Sequence, residues 1–188
     1  DPNPFIATNK LTNGDPVGAL TAPNAANYTN LYVMRYNLAD SGTNTMRAKN
    51  RYLGSVFGMA WQKESRLLFL SAYLKRHIGF STGGIGAIYQ TQINIAGAPS
   101  VPTLLLNVTA LGINVGTNPR SAALPVNATL PNTDPGVFEE VGKRGIGGLE
   151  ISPDGRSLYL VNMLERKLHR IFIGNPVKTS FTAADVTG

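Results

Sequence analysis

The chain contains no cysteine, which excludes disulfide staples, thiolate metal sites and a cysteine nucleophile. Histidine is almost as scarce. His77 and His169 are the two present, and no His-x-x-x-His or His-Glu-x-x-His spacing exists, so the common zinc ligand sets cannot be assembled. Charged residues make up 15% of the 188 residues, well below the roughly 25% of ordinary soluble domains. Only 11 of them are acidic, few for a hydrolase whose channel needs several carboxylates. No apolar run reaches the ~18 residues that span a bilayer, and no secretory leader is visible. The chain opens on Asp1 rather than Met, which predicts a processed or incompletely covered polypeptide.

What the chain has in quantity is glycine, 20 residues, and proline, 12. That composition fits a turn-rich β protein better than a helical one. Apolar runs such as Leu67-Leu68-Phe69-Leu70 need a buried home, which excludes disorder. The net charge is +6 and the isoelectric point about 9.7. The basic residues are scattered in short groups, Arg47-x-Lys49-x-Arg51, Lys75-Arg76, Lys143-Arg144 and Arg166-Lys167. With no longer run and no nucleic-acid-binding signature, a solvated surface accounts for them and no specific nucleic acid is implied.

The first 30 residues, rich in Pro, Asn, Ala, Gly and Thr, read as an extended arm or a set of long turns. Leu31 to Tyr36 is the first strand expected, and residues 31–188 form the main domain. Its informative feature is an internal repeat. Gly58 to Leu70 aligns with Gly148 to Leu160 at a constant offset of 90, each copy a strand, a polar turn and a second strand. After an insertion of about ten residues in the first copy, Ile88 to Ile93 falls over Leu168 to Ile173. The copies, about 54–95 and 145–173, therefore predict three strands each. Ser152-Pro153-Asp154-Gly155 specifies a tight turn in the second. Val101 to Val108 is a further strand candidate, residues 112–136 read as a long surface excursion, and Lys178 to Val186 reads as the start of another strand. Units of this kind bury their faces only against neighbours. The expected class is all-β, with β-propeller-like blade repeats: a partial propeller, or a sheet completed by another segment or chain.

Gly54-Ser55-Val56-Phe57-Gly58-Met59-Ala60-Trp61, the run Leu74-Lys75-Arg76-His77-Ile78-Gly79-Phe80 and the later Val141 to Gly155 resemble the N-terminal region of large bacterial surface proteins carrying SdrD B-like (serine-aspartate-repeat type) domains. The resemblance runs from about Val56 to Ile173. It implies an extracellular, propeller-like module ahead of Ig-like repeats, and it brings no catalytic residues with it. Where that family often carries an acidic residue, this chain has Gly148, which argues against a metal role there.

The candidate binding residues are Tyr73, Lys75, Arg76, His77 and Phe80. They sit on the loop that carries the ten-residue insertion, where sites on repeat scaffolds tend to fall. His77 reads as an acid–base or ligand group, or as a loop anchor. Tyr73 and Phe80 are expected to be exposed beside it, a basic and aromatic patch suited to a glycan or a protein. Most other aromatics, Trp61 and Phe172 among them, are expected in core packing between sheets. Glu139 and Glu140, read as strand neighbours, would point opposite ways. Gly83-Gly84-Ile85-Gly86 lacks the Lys-Ser/Thr of a phosphate loop. Asn27, Asn107 and Asn127 head Asn-x-Thr sequons and are glycosylation candidates in an exported protein.

No cofactor and no metal is expected. The reading is a non-enzymatic structural or adhesive module, secreted or at the cell surface, that self-associates or pairs with the rest of a longer chain. The alternative is a cation-dependent propeller enzyme of the hydrolase or lactonase type.

Overall fold

A computed structural model describes residues 4–18, 23–37, 46–94 and 98–188, and over them the protein is all-β. Three antiparallel sheets follow one another along the chain. The first joins β1 (Phe5–Asn9), β2 (Thr29–Arg35) and β3 (Met46–Lys49). The second runs through β4 (Val56–Gln62), β5 (Leu67–Ala72), β6 (Ala87–Gln92) and β7 (Thr103–Asn107) in order. The third repeats that meander with β8 (Ile146–Ile151), β9 (Ser157–Asn162), β10 (Lys167–Phe172) and β11 (Val186–Thr187). Two short helices, α1 (Asn50–Leu53) and α2 (Pro135–Phe138), lie in connections.

Sheets two and three pack through their first strands. β4 lies against β8, and their approach depends on Gly58. A Cβ there would sit 2.5 Å from Ser71 Oγ, 2.7 Å from Leu149 N and 2.8 Å from Leu149 Cβ, closer than real side chains come. Gln62 Nε2 adds hydrogen bonds to the carbonyls of Gly155, 2.5 Å, and Gly174, 3.2 Å. The first sheet meets the second where Asn9 Nδ2 donates to the Val56 carbonyl. Leu31, Val33, Phe69, Leu70, Ile88, Leu158, Leu160 and Ile171 join one buried cluster across the three sheets.

The third sheet shows how period-2 patterning works when one face is covered. Along Lys167-Leu168-His169-Arg170-Ile171-Phe172, His169 and Ile171 are buried and the other four are exposed. Register sets Leu168 opposite Val161 and Arg170 opposite Tyr159. The uncovered face thus carries Leu168, 59% exposed, with Val161 and Phe172, each 41% exposed.

Several expectations change. The segment read as an arm contributes β1, paired with β2 from Phe5↔Arg35 to Asn9↔Leu31. Its burial alternates, with Phe5, Ala7 and Asn9 half-buried and Ile6 and Thr8 exposed, but its two large apolar residues are adjacent and fall on opposite faces. Each of the two related sheets has four strands rather than three, because β7 and β11 close them. Residues 178–182 are irregular, and Val186–Thr187 pairs with β10 instead of opening a new unit. Glu139 and Glu140 follow the short α2 instead of lying in a strand, and Glu140 turns back to Arg144 at 2.5 Å. Trp61 and Phe172 are each 41% exposed, because each lies on a sheet face that is not fully covered.

Candidate functional site

The loop between β5 and β6, residues 73–86, is organised from outside itself. Arg120 reaches it with a side chain only 6% exposed. Its Nη2 donates to the carbonyls of Lys75, 2.7 Å, and Ile78, 2.6 Å, and its guanidinium lies 5.4 Å over the Phe80 ring. Asp134, 4% exposed, accepts from Arg120 Nε at 3.2 Å. Burial works against the arginine's charge and lowers its pKa, and the Asp134 carboxylate offsets only part of that loss.

His77 belongs to the same network. Its backbone is left-handed, φ 66, a conformation few non-glycine residues adopt. Its N–H donates to Asp134 Oδ2 at 3.0 Å, its carbonyl accepts from Gly14 N at 2.8 Å, and Nδ1 lies 2.5 Å from Asn132 Oδ1. With three of its polar groups engaged in loop contacts, His77 has the geometry of an anchor. Phe80 is buried, unlike the expected exposed ring, because Arg120 covers it. Tyr73 is half-buried against Phe57, ring centroids 5.2 Å apart. Arg76 stacks 4.9 Å over Phe138, and Lys75 is exposed. Phe57 and Phe138, 59% and 65% exposed, are therefore the aromatic partners of this loop that sequence reading missed. Their sequence signal is weak, since an exposed aromatic looks like a core one until register is known.

Beside the loop lies a cleft of about 500 Å³ lined by Asp15, Phe80, Ser81, Asn118, Arg120 and Leu124. A second, about 640 Å³, opens beside the β9–β10 turn, with Lys143, Arg144, Arg166 and Lys167 around Val161 and Leu168. A third, about 660 Å³, separates the first sheet from the second. Among the described residues no three His, Asp or Glu side chains come together to hold a metal. No described helix is long and apolar enough to cross a membrane.

The sequons differ in how their amides are held. Asn27 is half-buried and bonded by Arg51 Nη2. Asn107 caps a short 3-10 turn, and its Nδ2 is committed to the Gly83 carbonyl at 2.9 Å. In Asn127 the carbonyl oxygen accepts from Thr129 N, 2.9 Å, and Thr129 Oγ1, 2.8 Å. In both Asn27 and Asn127 these bonds fall on the carbonyl oxygen, whereas in Asn107 the amide nitrogen itself is committed.

No family model matches the chain. It is 31% identical over 162 residues to Colossin-D of Dictyostelium discoideum, a match that takes in 86% of this chain but 16% of that protein. A solved luciferin-regenerating enzyme is similar over 90% of this chain and 38% of its own, at 11% identity and a TM-score of 0.45.

Proposed function

We propose that the chain is a non-enzymatic, extracellular structural or adhesive module. In this reading its three sheets are part of a propeller-like ring, and the remaining sheets come from further copies or further chain. The observation that supports the reading is a pair of glycines in equivalent positions. Gly58 has no room for a Cβ because Ser71 of its own sheet and Leu149 of the third sheet both close on it. Gly148, in the matching place on β8, has nothing within 4 Å of where a Cβ would be. The third sheet is shaped to receive a neighbour as the second sheet does. Its exposed Leu168, Val161 and Phe172 supply the apolar contact. The loop residues Lys75, Tyr73 and Arg76, with Phe57 and Phe138, are then the surface offered to a protein or glycan.

Light scattering after size exclusion, with intact mass spectrometry, tests this. The expected result is a particle larger than one 20.1 kDa chain, shifted toward the monomer by Leu168→Asp. Covalent excess mass on secreted material that Asn127→Gln removes supports export and modification at that site. A compact monomer, cooperative in unfolding and protease-resistant throughout, overturns the ring.

A further inference from the structure

The first and second sheets leave a cleft between them. It holds about 660 Å³, within the range of small-molecule sites. Phe5, Val33, Trp61, Leu68 and Ile93 make its walls. Among the described residues, the charged side chains that line it are all cations, Arg35, Lys63 and Arg66, with no carboxylate beside them. An apolar cavity with a one-signed rim is electrostatically complementary to a ligand with an apolar body and a negative head.

The cations are positioned in different ways. Arg66 has φ 54, a left-handed backbone rare for a long side chain. Its Nε donates to the Ile93 carbonyl at 2.8 Å and its Nη2 to the Asn94 carbonyl at 2.5 Å. A guanidinium has five N–H donors, more than two acceptors consume, so the fixed group retains capacity for an anion. Arg35 is held 4.0 Å over the Phe5 ring. Lys63 is exposed in the turn before β5, a flexible charge at the mouth. Trp61, 41% exposed, offers the cleft a large apolar face.

We propose that this cleft is a binding site for a small amphipathic anion, its apolar body against Trp61, Leu68 and Ile93 and its carboxylate or similar head between Arg66 and Lys63. The site goes beyond the assembly reading and shares no lining residue with the open face of the third sheet. The two can fail separately.

Trp61 is the sole tryptophan, so its emission reports on the cleft directly. The 188-residue chain is titrated with decanoate and decyltrimethylammonium below their micelle concentrations and with decanol below its solubility limit. Decanoate is expected to change the emission saturably, with decanol about tenfold weaker and the cation without effect. Lys63→Glu is expected to weaken decanoate about tenfold, while Lys167→Glu, at the separate basic cleft, leaves it unchanged. Both substitutions are at exposed positions, and unchanged circular dichroism and melting show that the variants fold. Equal affinity for decanol and decanoate, a response that does not saturate, or indifference to Lys63→Glu overturns the site. Loss of binding equally in Lys63→Glu and Lys167→Glu reduces it to overall charge and also overturns it.

Discussion

The second and third sheets are one design carried out twice, and they differ most in a single connector. β5 and β9 begin 90 positions apart, at Leu67 and Ser157, and β6 and β10 begin 80 apart, at Ala87 and Lys167. Even the register break in the first pair recurs, between Val56 and Met59 and between Ile146 and Leu149. The length difference lies between the second and third strands. In the third sheet, residues 163–166 turn tightly, with Asn162 Oδ1 accepting the N–H groups of Leu164 and Glu165 and Arg166 at φ 55. In the second sheet, residues 73–86 are held by Arg120, Asp134 and Gly14, all distant in sequence. A short turn satisfies its backbone locally, whereas a long one must borrow partners or lie in water.

The largest break in this comparison should come from Arg120→Met. It leaves Asp134 buried without its cation and strips the Lys75 and Ile78 carbonyls of their donor. Loss of one partner of a buried ion pair costs about 3–5 kcal/mol. Urea unfolding should show that loss, and hydrogen exchange should quicken in residues 73–86 while residues 163–166 keep their protection. Equal quickening in both connectors would mean that Arg120 supports the whole protein and not the long loop.

The two glycines sharpen the comparison further. Gly58→Ala forces a methyl group against the Leu149 backbone, and overpacking of that kind typically costs about 1–3 kcal/mol. Gly148→Ala meets open space, so the stability of the isolated chain should stay within about 0.5 kcal/mol. In any assembly that covers the third sheet, Gly148→Ala should instead weaken association. Thermal melts of the two variants, run beside light scattering, separate these effects.

The strand frame was legible because it rests on local features: alternation along Ser157 to Asn162, the Ser-Pro-Asp-Gly turn, and the repeat itself. β1 escaped because its large apolar residues, Phe5 and Ile6, are adjacent and leave Phe5 to Asn9 without a period-2 apolar pattern, and β2 supplies its register. The loop around His77 was visible as an insertion, but its wiring was not. Arg120 and Asp134 are the only charged residues between 94 and 138. Two opposite charges isolated in so long an uncharged stretch are a signal for a buried pair. What they would hold depends on a long-range fold that no local pattern encodes. The exposure of Leu168 and Phe172 was hidden for a related reason, since an alternating strand looks the same whether one face or both are covered.

The smallest expected effect concerns the first hairpins of the two sheets, which are closed by different chemistry. In the second sheet, Ser65 Oγ donates to Gln62 Oε1, a contact between neutral groups. In the third, Asp154 Oδ1 accepts from Ser152 Oγ at 2.5 Å and from Arg156 N at 3.1 Å. The Ser152 hydroxyl foremost, and then the Arg156 N–H, hold the Asp154 carboxyl below its ordinary value of 3.8. A carboxyl depressed in the folded state contributes its stability above the unfolded pKa and loses it as pH falls through the folded one. The third-sheet hairpin should therefore loosen below about pH 4, with faster hydrogen exchange at Arg156 and Ser157, while Arg66 and Leu67 respond less. Asp154→Asn should remove that difference, because an amide accepts both bonds without titrating. If the acid response at Arg156 persists in Asp154→Asn, the turn is controlled by Pro153 and Gly155 geometry, and the carboxylate is incidental to it.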